Sequence, residues 1–205
     1  PEFKPFATKA VANRATYIEI EQRTGVPWVF IAVSHYREST QDFTRSLAQG
    51  DPWNKESVHV PAGRGPFKSF ADAAIDALVN CAPFAARLKD WTIGGMLTNL
   101  ERFNGTGYAR MGRPSAYIWS GTDQYVRGKY IADGVFDPNT IDKQLGCAGL
   151  ILAMMQLDKT ISFPKESEVE VVYDADWLKL SWLLLSGCLA LYCGRCLAMY
   201  MLYAE

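Results

Sequence analysis

The chain has 205 residues, of which 49% are hydrophobic, 21% charged and 13% aromatic; this is enough apolar mass for one substantial core and excludes disorder over most of its length. Its 21 Lys and Arg balance 22 Asp and Glu at a formal net charge of -1, and no basic run is long enough to neutralise a nucleic-acid backbone, so nucleic acid is excluded as a partner. Five cysteines are an odd number, and three of them (Cys188, Cys193 and Cys196) crowd into a terminal apolar run, a layout that fits no disulfide framework.

Residues 1–14 hold no apolar core segment followed by a small-residue cleavage site, so no secretory signal is read there, and Pro1-Glu2-Phe3 reads as a vector remnant outside the fold. Residues 13–24 are predicted as a helix that Gly25 closes, because glycine enters the left-handed conformation without a steric penalty. Pro27 suits the first position of the next helix, in which Val29, Phe30, Val33 and Tyr36 form an apolar stripe leading to Arg37-Glu38-Ser39. Residues 41–67, rich in Gly and Pro, are expected to form a long loop or a small β-hairpin region.

Ser69 resembles a capping-box start for an Ala-rich helix through about Asn80. Thr92 heads a helical segment over 93–103 that Gly105 ends. Asp137-Pro138 is read as the start of the last strong helix, with Ile141, Leu145, Ala148, Leu152 and Met155 on one face. At least five helices precede residue 160. After a polar, β-prone stretch broken by Pro164, residues 177–203 form a 27-residue apolar segment with Trp177, Trp182, Tyr200 and Tyr203 near its ends. Two readings of it stay open, a membrane anchor and a hydrophobic helix packed on the domain or in an oligomer. Arg195 near its end weighs against the anchor unless its long side chain reaches the interface.

The residue with a chemical use is Glu38. A carboxyl that ends a buried helix and faces a cleft loses hydration in its charged form, so its pKa rises; a carboxylic acid still neutral near pH 7 can protonate a glycosidic oxygen. The bland alternative is an exposed glutamate paired with Arg37 or Arg45. His35 and His59, the only histidines, sit in no triad or zinc motif, and His35 is expected on the helix face bordering the cleft. No cofactor and no metal are implied; the terminal cysteines have no His or acidic fourth ligand beside them.

His35-Tyr36-Arg37-Glu38-Ser39-Thr40-Gln41-Asp42-Phe43 resembles the Glu-Ser motif of soluble lytic transglycosylases and goose-type lysozymes, in which the helix-terminal glutamate is the catalytic acid. Leu100-Glu101-Arg102-Phe103-Asn104-Gly105-Thr106-Gly107-Tyr108 is similar to the Asn-Gly-x-Gly segment that lines the sugar cleft in that superfamily. Ser115-Ala116-Tyr117-Ile118-Trp119-Ser120, with Tyr125 and Gly128-Lys129-Tyr130, resembles the tyrosine-bearing segment that completes it. The three segments occur in the family's order and cover roughly residues 10–158. The chain is thus identified as resembling the bacterial and phage lysozyme family proteins of the lysozyme-like superfamily. It departs from the transglycosylase pattern in one respect: Pro61-Ala62-Gly63-Arg64-Gly65-Pro66-Phe67 stands where a Gly-Leu-Met-Gln segment is usual.

The helical pattern makes the domain over 4–158 mainly α and the resemblance implies that it is lysozyme-like; the composition adds a linker over 159–176 and the hydrophobic helix over 177–205. The resemblance also implies a peptidoglycan glycan-strand cleaving enzyme of the cell envelope or of a phage, with Glu38 as acid. Asp51 is the candidate second carboxylate, because glycoside hydrolysis usually takes two. The substrate-binding candidates are Ser39, Phe103, Asn104, Gly105, Tyr108, Tyr117 and Tyr125, since sugar rings want aromatic faces together with amide and hydroxyl partners. Hydrolysis with Asp51 and transglycosylation with Glu38 alone both remain open, as do a non-catalytic glycan-binding protein and an enzyme acting on chitin or chitosan.

Overall fold

A computed structural model describes residues 2–132 and 134–165. They are mainly helical, in the order α1 (Lys4–Ala12), α2 (Arg14–Thr24), α3 (Trp28–Ser39), α4 (Phe70–Asn80), α5 (Ile93–Asn104), α6 (Gly107–Arg110) and α7 (Ala116–Trp119). A hairpin of β1 (Lys129–Ala132) and β2 (Val135–Asp137) follows, and then α8 (Cys147–Leu157). The hairpin is antiparallel, with Lys129 opposite Asp137 and Tyr130 opposite Phe136.

Several helix ends follow directly from single residues. Gly25 closes α2 at φ +72°, a backbone region that a side chain disfavours. Ser69 Oγ accepts the Asp72 N–H at 3.1 Å and Thr92 Oγ1 accepts the Gly95 N–H at 3.1 Å, so each satisfies a first-turn amide that has no helical partner. Pro27 stands one place earlier than read, at the N-cap of α3.

Helix α3 is the centre of the domain. Every residue from Trp28 to Tyr36 is buried, not only the expected stripe, because α1, α2, α5 and α8 all pack on it. A helix with apolar residues all round can be covered on every side. The polar exceptions find partners inside: buried His35 takes Tyr17 Oη at 2.9 Å on Nδ1 and the Asp42 carbonyl at 3.1 Å on Nε2. This corrects the expectation that His35 borders the cleft. Burial lowers its pKa to about 4, which keeps the ring neutral.

Two other sequence readings change. Phe3 is not outside the fold: its carbonyl accepts the Ala7 N–H at 3.0 Å at the head of α1, and its ring packs against Gly149, where an added Cβ would collide with it. Asp137-Pro138 ends β2 and does not start a helix. The Asp137 carboxylate turns back to accept the Asn139 N–H and the Thr140 hydroxyl, and α8 begins only at Cys147. Its buried face is therefore Cys147, Leu150, Ile151 and Met154, while Ile141 and Leu152 are each 60% exposed. Of the two readings of 41–67 the long loop holds: one isolated bridge joins Arg45 to Pro52, bonds such as Trp53 Nε1 to the Phe43 carbonyl at 2.7 Å tie it, and the hairpin lies at 129–137.

The packed domain continues past the expected boundary at 158. Arg14 donates to Asp158 at 2.7 Å and to Thr160 at 3.0 Å, and Ile161 is buried in the same core. The expected hydrophobic helix over 177–205 lies outside the described residues; among the described residues no helix is long and apolar enough to cross a membrane.

Candidate active site

The site is built on the C-terminal end of α3. Two consecutive non-glycine residues, Thr40 at φ +54° and Gln41 at φ +59°, take the left-handed conformation there. Their amides close the last turn: Thr40 N–H donates to the Tyr36 carbonyl at 2.8 Å and Gln41 N–H to the His35 carbonyl at 3.1 Å. Left-handed backbone disfavours any side chain, and a β-branched one most, so surrounding contacts must hold it. They include Gln41 Nε2 on the Phe6 carbonyl at 3.0 Å, and Gln144 Nε2 on the Tyr36 and Arg37 carbonyls, both at 2.9 Å. Gly50 lies so close to the Glu38 carbonyl that a Cβ would sit 3.0 Å from it.

Glu38 is thereby fixed at the end of a buried helix. Its Oε1 accepts the Tyr117 hydroxyl at 3.0 Å. Burial raises its pKa to about 7, although the Tyr117 bond and the charge of Arg37 both pull it down. Desolvation thus wins, and the group is a mixture of acid and carboxylate near neutral pH. Tyr117 is itself buried, and burial together with the Glu38 charge raises its pKa well above the ordinary phenol value, so it remains a donor. Neither ion pair weighed in the bland alternative forms: Arg37 bonds Asp142 at 2.8 Å and Arg45 bonds Asp42 at 3.3 Å.

Beside this acid opens a cavity of about 520 Å³, lined among others by Arg37, Asn104, Gly105, Tyr108, Tyr117 and Lys129. Its polar and aromatic mixture suits a ligand with hydroxyl edges and apolar faces. Glu38 is joined to this lining through Tyr117. Four of the sequence candidates, Asn104, Gly105, Tyr108 and Tyr117, come together here. Gly107 belongs to the same wall and has no room for a side chain, because the Tyr130 hydroxyl presses on it.

The remaining candidates are placed elsewhere. Ser39 donates its hydroxyl to the His35 carbonyl at 3.2 Å, one turn back on its own helix. Phe103 packs edge-on against Phe30 of the central helix, with ring centroids 5.5 Å apart. Tyr125 is a strut behind the wall: its hydroxyl donates to the Gly128 carbonyl at 3.1 Å and accepts the Asp142 N–H at 3.0 Å. Asp51 accepts the amides of Val58 and His59, each at 2.9 Å, on Oδ2, and His59 Nδ1 at 2.7 Å on Oδ1. Those His59 and Val58 bonds hold its carboxyl below the ordinary range, as an anion that ties the 51–59 loop.

Sequence reasoning missed Arg37 and Asp142. Arg37 also donates to the Gln144 carbonyl at 2.9 Å and to the Leu145 carbonyl at 3.1 Å, and stands over the Tyr117 ring 4.8 Å from its centroid. Asp142 also accepts Lys129 Nζ at 3.0 Å. Burial alone would raise the Asp142 pKa, but the bonds and charges of Arg37 and Lys129 outweigh it and hold the group ionised. The pair is separated by 105 residues, and only the arginine's place next to Glu38 pointed toward it. Compared with protein-family models, with curated proteins and with solved structures, the chain matches none.

Proposed function

We propose that this chain cleaves glycan strands of peptidoglycan, with Glu38 as the general acid. The observation that carries this reading is a carboxyl whose pKa burial raises to about 7, held by the hydroxyl of Tyr117, a wall residue of a cavity that also offers Tyr108 and Asn104 to a sugar. In its neutral form Glu38 gives its proton to the glycosidic oxygen as the bond to the anomeric carbon breaks, and the Tyr117 hydroxyl then stabilises the carboxylate that remains.

Of the two routes, transglycosylation is favoured. The described carboxylate in the cavity lining, Asp142, is committed to Arg37 and Lys129, and the oxygens of Asp51 are taken up by Val58 and His59. Neither is free to activate a water. Glu38 then acts twice: as carboxylate it takes the proton of the sugar's own hydroxyl, whose oxygen attacks the anomeric carbon and closes an anhydro ring. The acid is regenerated and no water is consumed.

The test is mass spectrometry of the products released from purified cell walls. Anhydro-ended muropeptides are expected, and Glu38→Gln should abolish their release while the circular dichroism spectrum is unchanged. Products one water heavier would replace this route by hydrolysis. Full activity of the Glu38→Gln variant would remove Glu38 from the mechanism, and glycan binding without any cleavage would make the chain a glycan-binding protein.

A further inference from the structure

We propose that Asp142 is a positioning residue for the acid: it clamps the Arg37 guanidinium over the Tyr117 ring and so holds the Tyr117 hydroxyl on Glu38. This rests on the reading of Glu38 as the acid.

Each link of the relay is a defined contact. Asp142 Oδ2 grips Arg37 at 2.8 Å, with the two side chains 4% and 8% exposed. In that position Arg37 has little freedom, because its other bonds run to the Gln144 and Leu145 carbonyls and its face meets the Tyr117 ring at 4.8 Å. Such a cation over an aromatic face is attractive and restricts how the ring can tilt. The same ring carries the hydroxyl that reaches Glu38 at 3.0 Å.

Asp142 is also anchored from behind. Its amide donates to Tyr125 Oη at 3.0 Å, and its carbonyl accepts Ser120 Oγ at 2.7 Å. Its Oδ1 accepts Lys129 Nζ at 3.0 Å and the Gln144 N–H at 3.2 Å. A carboxylate with both oxygens so occupied is suited to fixing geometry and not to activating a water molecule. Removing its charge leaves Arg37 buried without its counter-ion, which is the strongly unfavourable way to break such a pair.

The charged and titratable groups facing Glu38 are Tyr117 from α7, Arg37 from its own helix and the Cys147 thiol from α8, whose proton burial retains. Cys147 is in turn within electrostatic reach of Glu101 of α5. Tyr117 and Arg37 both lower the Glu38 pKa, so a loosened clamp moves the titration upward.

The experiment follows the Glu38 carboxyl by carbon NMR through a pH titration of the full chain, with Glu38→Gln assigning the signal. Tyr117→Phe and Asp142→Glu, which keeps the anion but displaces the clamp, should each raise the midpoint by about half a pH unit or more, and the double variant should shift by less than the sum of the two. With peptidoglycan as substrate, kcat of Asp142→Glu should fall on the order of tenfold. Arg37→Lys, which keeps the charge and loses the planar fork, should shift the midpoint in the same direction and serves if Asp142→Glu does not fold. An unchanged or lowered midpoint in a folded Asp142→Glu or Arg37→Lys variant, or additive shifts in the double variant, overturns the relay. A parent protein that titrates as predicted yet releases no muropeptides overturns the acid reading and leaves the relay standing.

Discussion

At the scale of single residues, the acid is a liability to the fold as well as the proposed source of activity. Folded Glu38 holds its proton up to about pH 7, whereas the unfolded chain releases it in the ordinary carboxylate range. As pH rises through that window the unfolded state loses a proton that the folded state keeps, so stability falls, and the full cost is present above about 7. Glu38→Gln cannot ionise and removes this cost. Its unfolding free energy should exceed that of the parent by about 1–3 kcal/mol at pH 8 and by little at pH 4, measured by urea denaturation at both pH values. Equal gains at the two pH values would mean that Glu38 is ionised in the folded protein. The same titration sets the activity profile: cleavage should decline above about pH 7 as the neutral acid is lost. Tyr117→Phe should move that decline to higher pH, because the lost bond had favoured the carboxylate, while lowering the maximum rate.

At the scale of elements, the end of α3 shows where local sequence signals stop. Gly25, Ser69 and Thr92 were legible because each acts on its own neighbours, through a backbone angle or a first-turn amide. Thr40 and Gln41 carry no such signal. Two non-glycine residues in left-handed backbone are held by long-range bonds to Phe6 and Gln144 and by the close approach of Gly50. Thr40 is exposed, so its side chain gives little in return for its conformation. Thr40→Gly should therefore stabilise the protein by about 0.5–1 kcal/mol, the relief of strain exceeding the added freedom of the unfolded chain. Thermal unfolding at a fixed pH checks this, and a loss of stability would show that the threonine methyl or hydroxyl makes a contact worth more than the strain. The late start of α8 has a similar cause: Asp-Pro is a helix-start pair only when helical residues follow, and here the Asp137 carboxylate is used by the turn after β2. The site was legible to the same degree. Glu38, Asn104, Tyr108 and Tyr117 lie in local motifs, while Arg37 and Asp142 meet across 105 residues and are visible only once α3 and the 142–145 loop are in place.

At the scale of the whole molecule, the open question is where the domain ends, because balanced charge and an evenly spread apolar content draw no boundary before the terminal apolar run. The polar residues after 157 suggested a linker, yet they are used for closure: Asp158 caps its own turn through Thr160, binds Arg14 of α2 at 2.7 Å, and delivers Ile161 to the core at 7% exposure. The segment thus ties the end of α8 to α2. The exposed parts of this closure, the Arg14 pair included, contribute little by themselves. Most of its worth is in the buried isoleucine. Ile161→Ala should lower the unfolding free energy by about 2–3 kcal/mol, the loss of transferred methylenes plus a partly collapsed cavity. Asp158→Asn should change it by well under half of that. Urea denaturation of both variants separates the cases. If Ile161→Ala were neutral, residues 159–165 would be a linker lying on the surface and the domain would end with α8. A loss of the expected size extends the cooperative unit to the last described residues.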